Sequence, residues 1–190
     1  MTLLRRQVQQ TAARRQRTRT RRRGNRVPSV ALTGYTNAGK SALLNRLTGA
    51  DVLVQDALFA TLDPTVRRTR TPDGRSYTLT DTVGFVRHLP HQLVDAFRST
   101  LEEVVDADLV LHVVDASAPD AFAQVTTVRG VLYEIGARDH RELLALNKVD
   151  VAPAEWVTAL TSAYPGAIPV SALTGEGVEE LRAAIGRALD

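Results

Sequence analysis

A chain of 190 residues, 44% of them apolar, is long enough for one globular domain with a full hydrophobic core. No apolar run approaches the roughly 18 residues of a transmembrane helix, and the N-terminal residues are basic and polar. The sequence therefore predicts neither a membrane span nor a secretory signal, and a cytoplasmic protein is expected. The absence of cysteine excludes disulfides and thiolate sites, so any catalytic metal would be held by oxygen ligands.

The charge of the chain changes sign after residue 26. Residues 1–26 contain ten arginines and no acidic residue, a charge of +10, whereas the rest has 24 − 10 = 14 basic and 21 acidic residues, a charge of −7. Clustered arginines release counterions from a phosphate backbone and can stack on bases, which favours RNA or the ribosome as a partner. A solvated connector without a specific role is the alternative. We divide the chain into an arginine-rich tail or linker, residues 1–26, and one domain, residues 27–190.

From residue 27 onward, short runs rich in β-branched residues alternate with helical patterns, which is typical of a parallel sheet covered by helices. The predicted strands cover residues 27–33, 65–71, 76–81, 108–115, 142–147 and 167–171. The predicted helices cover residues 41–47, 95–105, 120–135, 154–163 and 178–189. Residues 51–64 lack periodicity and are expected to form a long connection. A Pro-Asp-Gly turn at 72–74 predicts an antiparallel hairpin at the sheet edge. The expected fold is α/β, with a mostly parallel six-stranded sheet, helices on both faces and one antiparallel edge strand.

A phosphate-binding motif lies between the first predicted strand and helix. Residues 34–41 read G-Y-T-N-A-G-K-S and match G-x-x-x-x-G-K-[ST], which predicts a P-loop NTPase. The two glycines, Gly34 and Gly39, allow backbone amides to surround a β-phosphate beside the helix N-terminus. Lys40 would lie between the β- and γ-phosphates, and the Ser41 hydroxyl would bind Mg²⁺. The nucleotide-contacting residues predicted here are Gly34, Tyr35, Thr36, Asn37, Ala38, Gly39, Lys40, Ser41 and Ala42.

A second motif, D-T-V-G at residues 81–84, follows the hairpin strand. Asp81 is expected to reach the same Mg²⁺ through a water, and the Gly84 amide to sense the γ-phosphate. A second hydroxyl that closes over Mg²⁺ would come from Thr61 or from nearby Thr65. Phe59, in the same irregular stretch, is placed among the nucleotide-contacting residues.

A third motif, N-K-V-D at residues 147–150, ends a predicted strand, where open α/β sheets bind ligands. The Asp150 carboxylate only accepts hydrogen bonds, so it suits the N1 and N2 hydrogens of guanine and would face a poor partner in adenine. Asn147 would orient the loop, and the stem of Lys148 would cover one face of the base. Residues Ser171, Ala172 and Leu173 end the next strand, and the Ala172 amide is expected to donate to guanine O6.

Taken together, these motifs resemble the HflX family of translation-associated GTPases, within a group that includes Obg and Era. The resemblance covers residues 27–190 and includes D-A-L-F-A-T-L-D-P-T-V-R-R, the segment L-T-D-T-V-G-F-V-R-H-L-P and L-H-V-V-D-A-S. It implies a Ras-like G domain, hydrolysis of GTP to GDP, and affinity for the large ribosomal subunit or RNA that depends on the nucleotide. Likeness to the F-T-T-L motif of Obg favours Thr61 over Thr65. The resemblance implies Lys40, Thr61 and Gly84 as catalytic residues and Ser41, Thr61 and Asp81 as the magnesium set.

The large N-terminal domain of typical family members, with its G-P-G-E segment, does not precede the arginine tail in this sequence. A shortened relative and an isolated GTPase domain are both open, and the expected state is a monomer. Phe85 stands where Ras-like enzymes have a water-orienting glutamine, which predicts slow hydrolysis or a binding module with negligible turnover. Asn37 matches an asparagine that helps hold K⁺ in several relatives. We expect His112 to be an interior histidine with a hydrogen-bond partner and Trp156 to pack on the sheet.

Overall fold

The structure is a computed structural model, and it describes residues 27–49, 65–82, 84–85 and 98–190. Six strands and five helices are formed by these residues. In chain order they are β1 (Ser29–Gly34), α1 (Lys40–Thr48), β2 (Thr65–Arg70), β3 (Ser76–Asp81), α2 (Arg98–Asp106), β4 (Leu109–Asp115), α3 (Ala121–Glu134), β5 (Glu142–Asn147), α4 (Ala154–Ala163), β6 (Ile168–Pro169) and α5 (Val178–Ala188).

The strands form one sheet in the order β2-β3-β1-β4-β5-β6. Strand β1 pairs in parallel with β3 and β4, and the parallel pairing continues through β5 to β6. Only β2 runs antiparallel among these strands; its register with β3 extends from Thr65 opposite Asp81 to Arg70 opposite Ser76. The predicted α/β fold, with six strands and an antiparallel strand at one edge, is confirmed.

Alternation along β1 shows how both faces of the sheet become buried. Val30 and Leu32 belong to the core that includes Leu43 of α1 and Leu181 of α5. Ala31, between them, belongs to a second core formed with α2 and α3. Successive strand residues point to opposite faces, so an uninterrupted apolar strand requires helices on both sides. Each fully buried leucine contributes roughly 2 kcal/mol of hydrophobic stabilisation.

The parallel strands bring their carboxyl ends to one edge of the sheet. Asp115, the last residue of β4, lies opposite Asn147, the last residue of β5. Asp81 ends β3, and Gly34 ends β1. In an open α/β sheet, this edge is where ligands bind.

Helix α2 is described from Arg98 onward, because its first predicted residues, 95–97, lie outside the described residues, as do the tail and the connection 51–64. Two details differ from the sequence-based expectations. Strand β6 is shorter than the predicted 167–171, since its pairing with β5 ends at Pro169, opposite Leu146. Trp156 lies on α4 with 36% of its surface exposed, so the prediction that it packs on the sheet was wrong; Leu160 is the buried residue of this helix. None of the helices described is long and apolar enough to cross a membrane.

Candidate functional site

The loop between β1 and α1 packs against the neighbouring strands so closely that two positions require glycine. Gly34 has φ 152°, and an added Cβ would lie 2.2 Å from the carbonyl oxygen of Val113 on β4. Gly39 has φ 89°, and its Cβ would lie 2.3 Å from Nδ2 of Asn147. Both contacts are far shorter than van der Waals separation, so the backbone of the loop lies directly against the ends of β4 and β5.

Lys40, the first residue of α1, is buried inside this loop. Its Nζ donates to the carbonyl oxygens of Gly34 at 3.4 Å and Tyr35 at 3.2 Å. Burial lowers the pKa of Lys40 to about 8, against the opposing influence of the Asp81 carboxylate. The side chain therefore stays a cation at neutral pH, in a place where removal from water is unfavourable and an anionic ligand would stabilise it.

Ser41 and Asp81 meet beside this lysine. Oγ of Ser41 donates to Oδ2 of Asp81 at 2.6 Å, and Asp81 is buried. A hydroxyl and a carboxylate are hard oxygen donors, and Mg²⁺ prefers such ligands together with phosphate oxygens and water. Two of the three residues predicted to bind Mg²⁺ are thus in contact, and their chemistry fits that ion.

Gly84 and Phe85 lie against the start of the loop. The Phe85 amide donates to the Gly34 carbonyl at 3.0 Å, and the Thr36 amide donates to the Phe85 carbonyl at 2.9 Å. A Cβ on Gly84 would lie 2.9 Å from Cα of Thr36 and 3.1 Å from Nζ of Lys40. The Phe85 side chain is fully buried in the core of α2 and α3. The backbone at residue 84 therefore faces the lysine ammonium, while the next side chain points away from it.

Asn147 connects the two loops of the predicted nucleotide site. Its Nδ2 donates to the Ala38 carbonyl at 2.9 Å, and its Oδ1 accepts from the Ala172 amide at 3.0 Å. Asn147 is 2% exposed. The side chain thus joins the phosphate motif to the loop after β6, which is more than 100 residues away in sequence. The Ala172 amide, predicted to donate to guanine O6, donates to Asn147 in this structure.

Lys148 and Asp150 follow directly. Lys148 adopts φ 66°, and its Nζ lies 2.6 Å from Oδ2 of Asp115, an ion pair that holds the side chain along the sheet edge. Asp150 is exposed at the same edge. Oδ1 of Asp115 accepts from the amide and hydroxyl of Ser117, so the carboxylate is fixed from its other side.

Comparison with known proteins identifies the family. Residues 29–148 match the family model described as "50S ribosome-binding GTPase". The chain belongs to this family. An HflX GTPase from Magnetococcus marinus is 54% identical over 165 residues, covering 85% of this chain and 38% of the relative. An HflX GTPase from Caldanaerobacter subterraneus is 50% identical, covering 90% of this chain and 39% of the relative. The chain spans about two fifths of the length of these curated relatives, and the HflX resemblance is confirmed.

Solved structures give the same fold. A GTP-binding protein from Sulfolobus solfataricus, in complex with GDP, has a TM-score of 0.67 and 32% identity, covering 85% of this chain and 52% of that one. The G domain of the FeoB iron transporter of T. maritima has a TM-score of 0.61 and 27% identity, covering 86% of this chain and 99% of that one. Era from Aquifex aeolicus, bound to GDP and aluminium fluoride, has a TM-score of 0.68 at 24% identity and shows the fold alone. The P-loop G-domain prediction is confirmed for this member of the 50S ribosome-binding GTPase family.

The remaining predicted site residues of this family member lie as follows. Tyr35, Thr36 and Ala42 are half-buried, Asn37 is exposed, Ser171 is buried and Leu173 is 76% exposed. Phe59 and Thr61 lie outside the described residues. Thr65, the alternative to Thr61, is the first residue of β2 and lies opposite Asp81.

Two contacts in the site each involve a residue outside the three predicted motifs. Asp115 holds Lys148, and the parallel register that sets Asp115 opposite Asn147 could have indicated it. Arg46 on α1 reaches the loop after β6, and no sequence pattern indicated this. His112 is 1% exposed with Nδ1 2.7 Å from Oε1 of Glu142, so the expectation of an interior histidine with a partner is confirmed.

Proposed function

We propose that this chain binds GDP and GTP with Mg²⁺, hydrolyses GTP slowly to GDP and phosphate, and changes its affinity for the large ribosomal subunit or RNA with the nucleotide. The observation that carries the proposal is the pair of hydrogen bonds made by the Asn147 side chain. One goes to the Ala38 carbonyl of the phosphate motif, and the other comes from the Ala172 amide in the loop after β6, residues 171–173, which we call the base loop. One buried amide thereby sets the distance between the phosphate and base halves of a nucleotide site.

The phosphate half would act through charge and positioning. The Lys40 ammonium, which donates to the carbonyl oxygens of Gly34 and Tyr35, would bind the β- and γ-phosphates. Ser41 and Asp81 would hold Mg²⁺, which supplies neutralisation of the charge that develops on the transferred phosphoryl group. The Gly84 backbone, adjacent to Lys40, would contact the γ-phosphate and so distinguish GTP from GDP.

The base half would select guanine. Asp150 is exposed at the sheet edge next to Lys148 and would accept the two hydrogens on guanine N1 and N2. The Ala172 amide would donate to guanine O6, sharing its hydrogen with Asn147 or exchanging that partner. Adenine presents an acceptor at N1 and a donor at C6, so it would mispair at both places.

Hydrolysis is proposed to be slow because Phe85 cannot orient a water. Its side chain is fully buried in the core formed with α2 and α3. The same burial favours the second candidate function, a nucleotide-responsive module with negligible turnover. A single-turnover measurement of phosphate release, with and without ribosomes, separates the two. A rate that ribosomes raise supports the hydrolase, whereas an unmeasurable rate in both conditions supports the module.

The ribosome role rests on the family description and on the ten arginines of residues 1–26. We propose that this tail supplies electrostatic affinity for RNA in the cytoplasm and that residues 27–190 supply the nucleotide response. Asn37, exposed in the phosphate loop, is proposed to help bind K⁺. Equal turnover in potassium and sodium buffers would exclude this last role.

The test of the proposed function is the nucleotide preference of Asp150→Asn. We expect the wild-type chain to bind GDP and GTP in the presence of Mg²⁺ and to discriminate against ADP. In Asp150→Asn, the amide can donate to the C2 carbonyl of xanthine, so the preference should move from GDP to xanthosine diphosphate. Asp139→Asn is the matched control, because Asp139 is an exposed carboxylate in the turn before β5, whereas Asp150 follows that strand; it should bind as wild type does. Preference of the wild-type chain for ADP would refute the proposed function.

A further inference from the structure

Arg46, in the last turn of α1, makes contacts with the base loop that no motif indicates. Its Nε donates to the carbonyl oxygen of Ala172 at 2.9 Å, and its Nη2 donates to the carbonyl oxygen of Leu173. One planar guanidinium thus binds two successive carbonyls, a geometry for which arginine is better suited than lysine.

The Ala172 residue is consequently held from both sides. Its N–H donates to Oδ1 of Asn147 at 3.0 Å, and its C=O accepts from Arg46. The two bonds restrain the two peptide planes that meet at Ala172, so its φ and ψ cannot change freely while both bonds are kept. The direction of the N–H that is proposed to meet guanine O6 is therefore determined by Arg46 as well as by Asn147.

Arg46 is itself fixed by the fold. Its backbone carbonyl accepts from Nη2 of Arg182 on α5 at 3.1 Å, and Nε of Arg182 lies 3.2 Å from the Glu179 carboxylate. Helix α1 begins with Lys40, which is proposed to bind phosphate, and carries Arg46 six residues later. A single rigid helix therefore contacts both the phosphate end and the base end of the site.

We infer that Arg46 is a positioning residue for guanine recognition, which sets the orientation of the Ala172 amide toward O6 of the base. The inference rests on the proposed function and adds to it the residue that determines recognition of the 6-oxygen. A basic residue near a helix C-terminus also stabilises the helix dipole, but that role would affect every nucleotide equally. The two roles therefore differ in their dependence on one ligand atom.

The experiment compares GDP with 6-thio-GDP, in which a weakly accepting sulfur replaces O6 while the N1 and N2 hydrogens remain. For Arg46→Gln we expect the dissociation constant of GDP to rise about five- to tenfold, as for loss of a charge-assisted hydrogen bond at a partly exposed site. The dissociation constant of 6-thio-GDP should change less than about twofold, because the lost orientation served an acceptor that this ligand lacks. Arg46→Lys, which can bind one of the two carbonyls, should fall between wild type and Arg46→Gln.

Arg141→Gln is the matched control, because Arg141 also donates to a backbone carbonyl across elements, that of Ala188 at 2.6 Å, away from the base loop. It should bind both ligands as wild type does. Equal weakening of GDP and 6-thio-GDP in Arg46→Gln, or no weakening of either, would overturn the inference. Failure of the wild-type chain to prefer GDP over ADP would instead refute the proposed function, so the two failures are distinguishable.

Discussion

The space between Gly39 and the buried side-chain amide of Asn147 is too small for a methyl group, so Gly39→Ala is a quantitative test of the site. The new Cβ would lie 2.3 Å from Nδ2 of Asn147. Gly74, in the hairpin turn, has nearly the same φ, 88° against 89° for Gly39, and nothing lies within 4 Å of its Cβ position. The pair therefore separates the cost of the left-handed backbone from the cost of the contact.

The expected magnitudes follow from these contacts. A non-glycine residue in the left-handed region costs about 1 kcal/mol, so Gly74→Ala should lower the free energy of unfolding by that amount. Gly39→Ala carries the same cost and must also displace Asn147. That displacement breaks the bonds to Ala38 and Ala172, each worth about 1 kcal/mol net. We expect Gly39→Ala to lower the free energy of unfolding by about 3 kcal/mol.

The assay is urea unfolding of the nucleotide-free chain, followed by GDP binding under conditions where each variant is folded. Gly74→Ala should bind GDP as wild type does. Gly39→Ala should bind at least about tenfold more weakly, because its phosphate and base loops are no longer joined. Equal losses of stability in the two variants, with GDP binding retained in both, would refute the assignment of Asn147 as the link between the loops.

Two further changes test the core next to the site. Phe85→Gln should not accelerate GTP hydrolysis and should lower the free energy of unfolding by about 2–4 kcal/mol, because it places an amide in an apolar core; Phe85→Leu should leave the single-turnover rate unchanged and cost about 1 kcal/mol. An accelerated Phe85→Gln would show that this side chain reaches the phosphates. Burial lowers the pKa of His112 below its ordinary 6.5, opposed by the hydrogen bond to Glu142, so the unfolded chain binds more protons below pH 6.5. The free energy of unfolding should therefore decrease as the pH is lowered below 6.5, by up to about 1.4 kcal/mol per pH unit. Urea unfolding of His112→Gln should show a smaller decrease over the same pH range. An identical pH dependence in wild type and variant would contradict the assignment.

Local sequence was sufficient for elements whose pattern is strong. The bounds of β3, β5 and α4 agree with those predicted, because uninterrupted apolar or clearly periodic runs leave few alternatives. Strand β6 was predicted too long, because a residue pattern does not show where the pairing with a neighbouring strand stops. The pairing with β5 ends at Pro169, and one further bond follows, from the Val170 amide to the Leu146 carbonyl at 2.8 Å. Trp156 lies on the predicted helix α4, but a helical period does not give how much of its side chain the sheet covers.

The motifs of the site could be read from sequence because their residues are contiguous and follow strands. The contacts that join the motifs could not. Asn147 and Ala38 are 109 residues apart, and Arg46 and Ala172 are 126 apart, so their proximity depends on strand order and helix packing. Sequence predicts a chemical role for each loop, and only the fold determines which side chains fix the loops relative to each other.

These contacts also bear on where GDP and GTP can be distinguished. GDP and GTP present the same base and β-phosphate to the loops that Asn147 joins, so the contribution of Asn147 should be the same for both nucleotides. A ligand shifts a conformational equilibrium only by its differential affinity for the two states. We therefore expect the proposed preference for GTP over GDP to arise at the phosphate end, where the Gly84 backbone lies beside Lys40. Variants of the base loop should change both affinities by one factor, whereas Gly84→Ala should change their ratio.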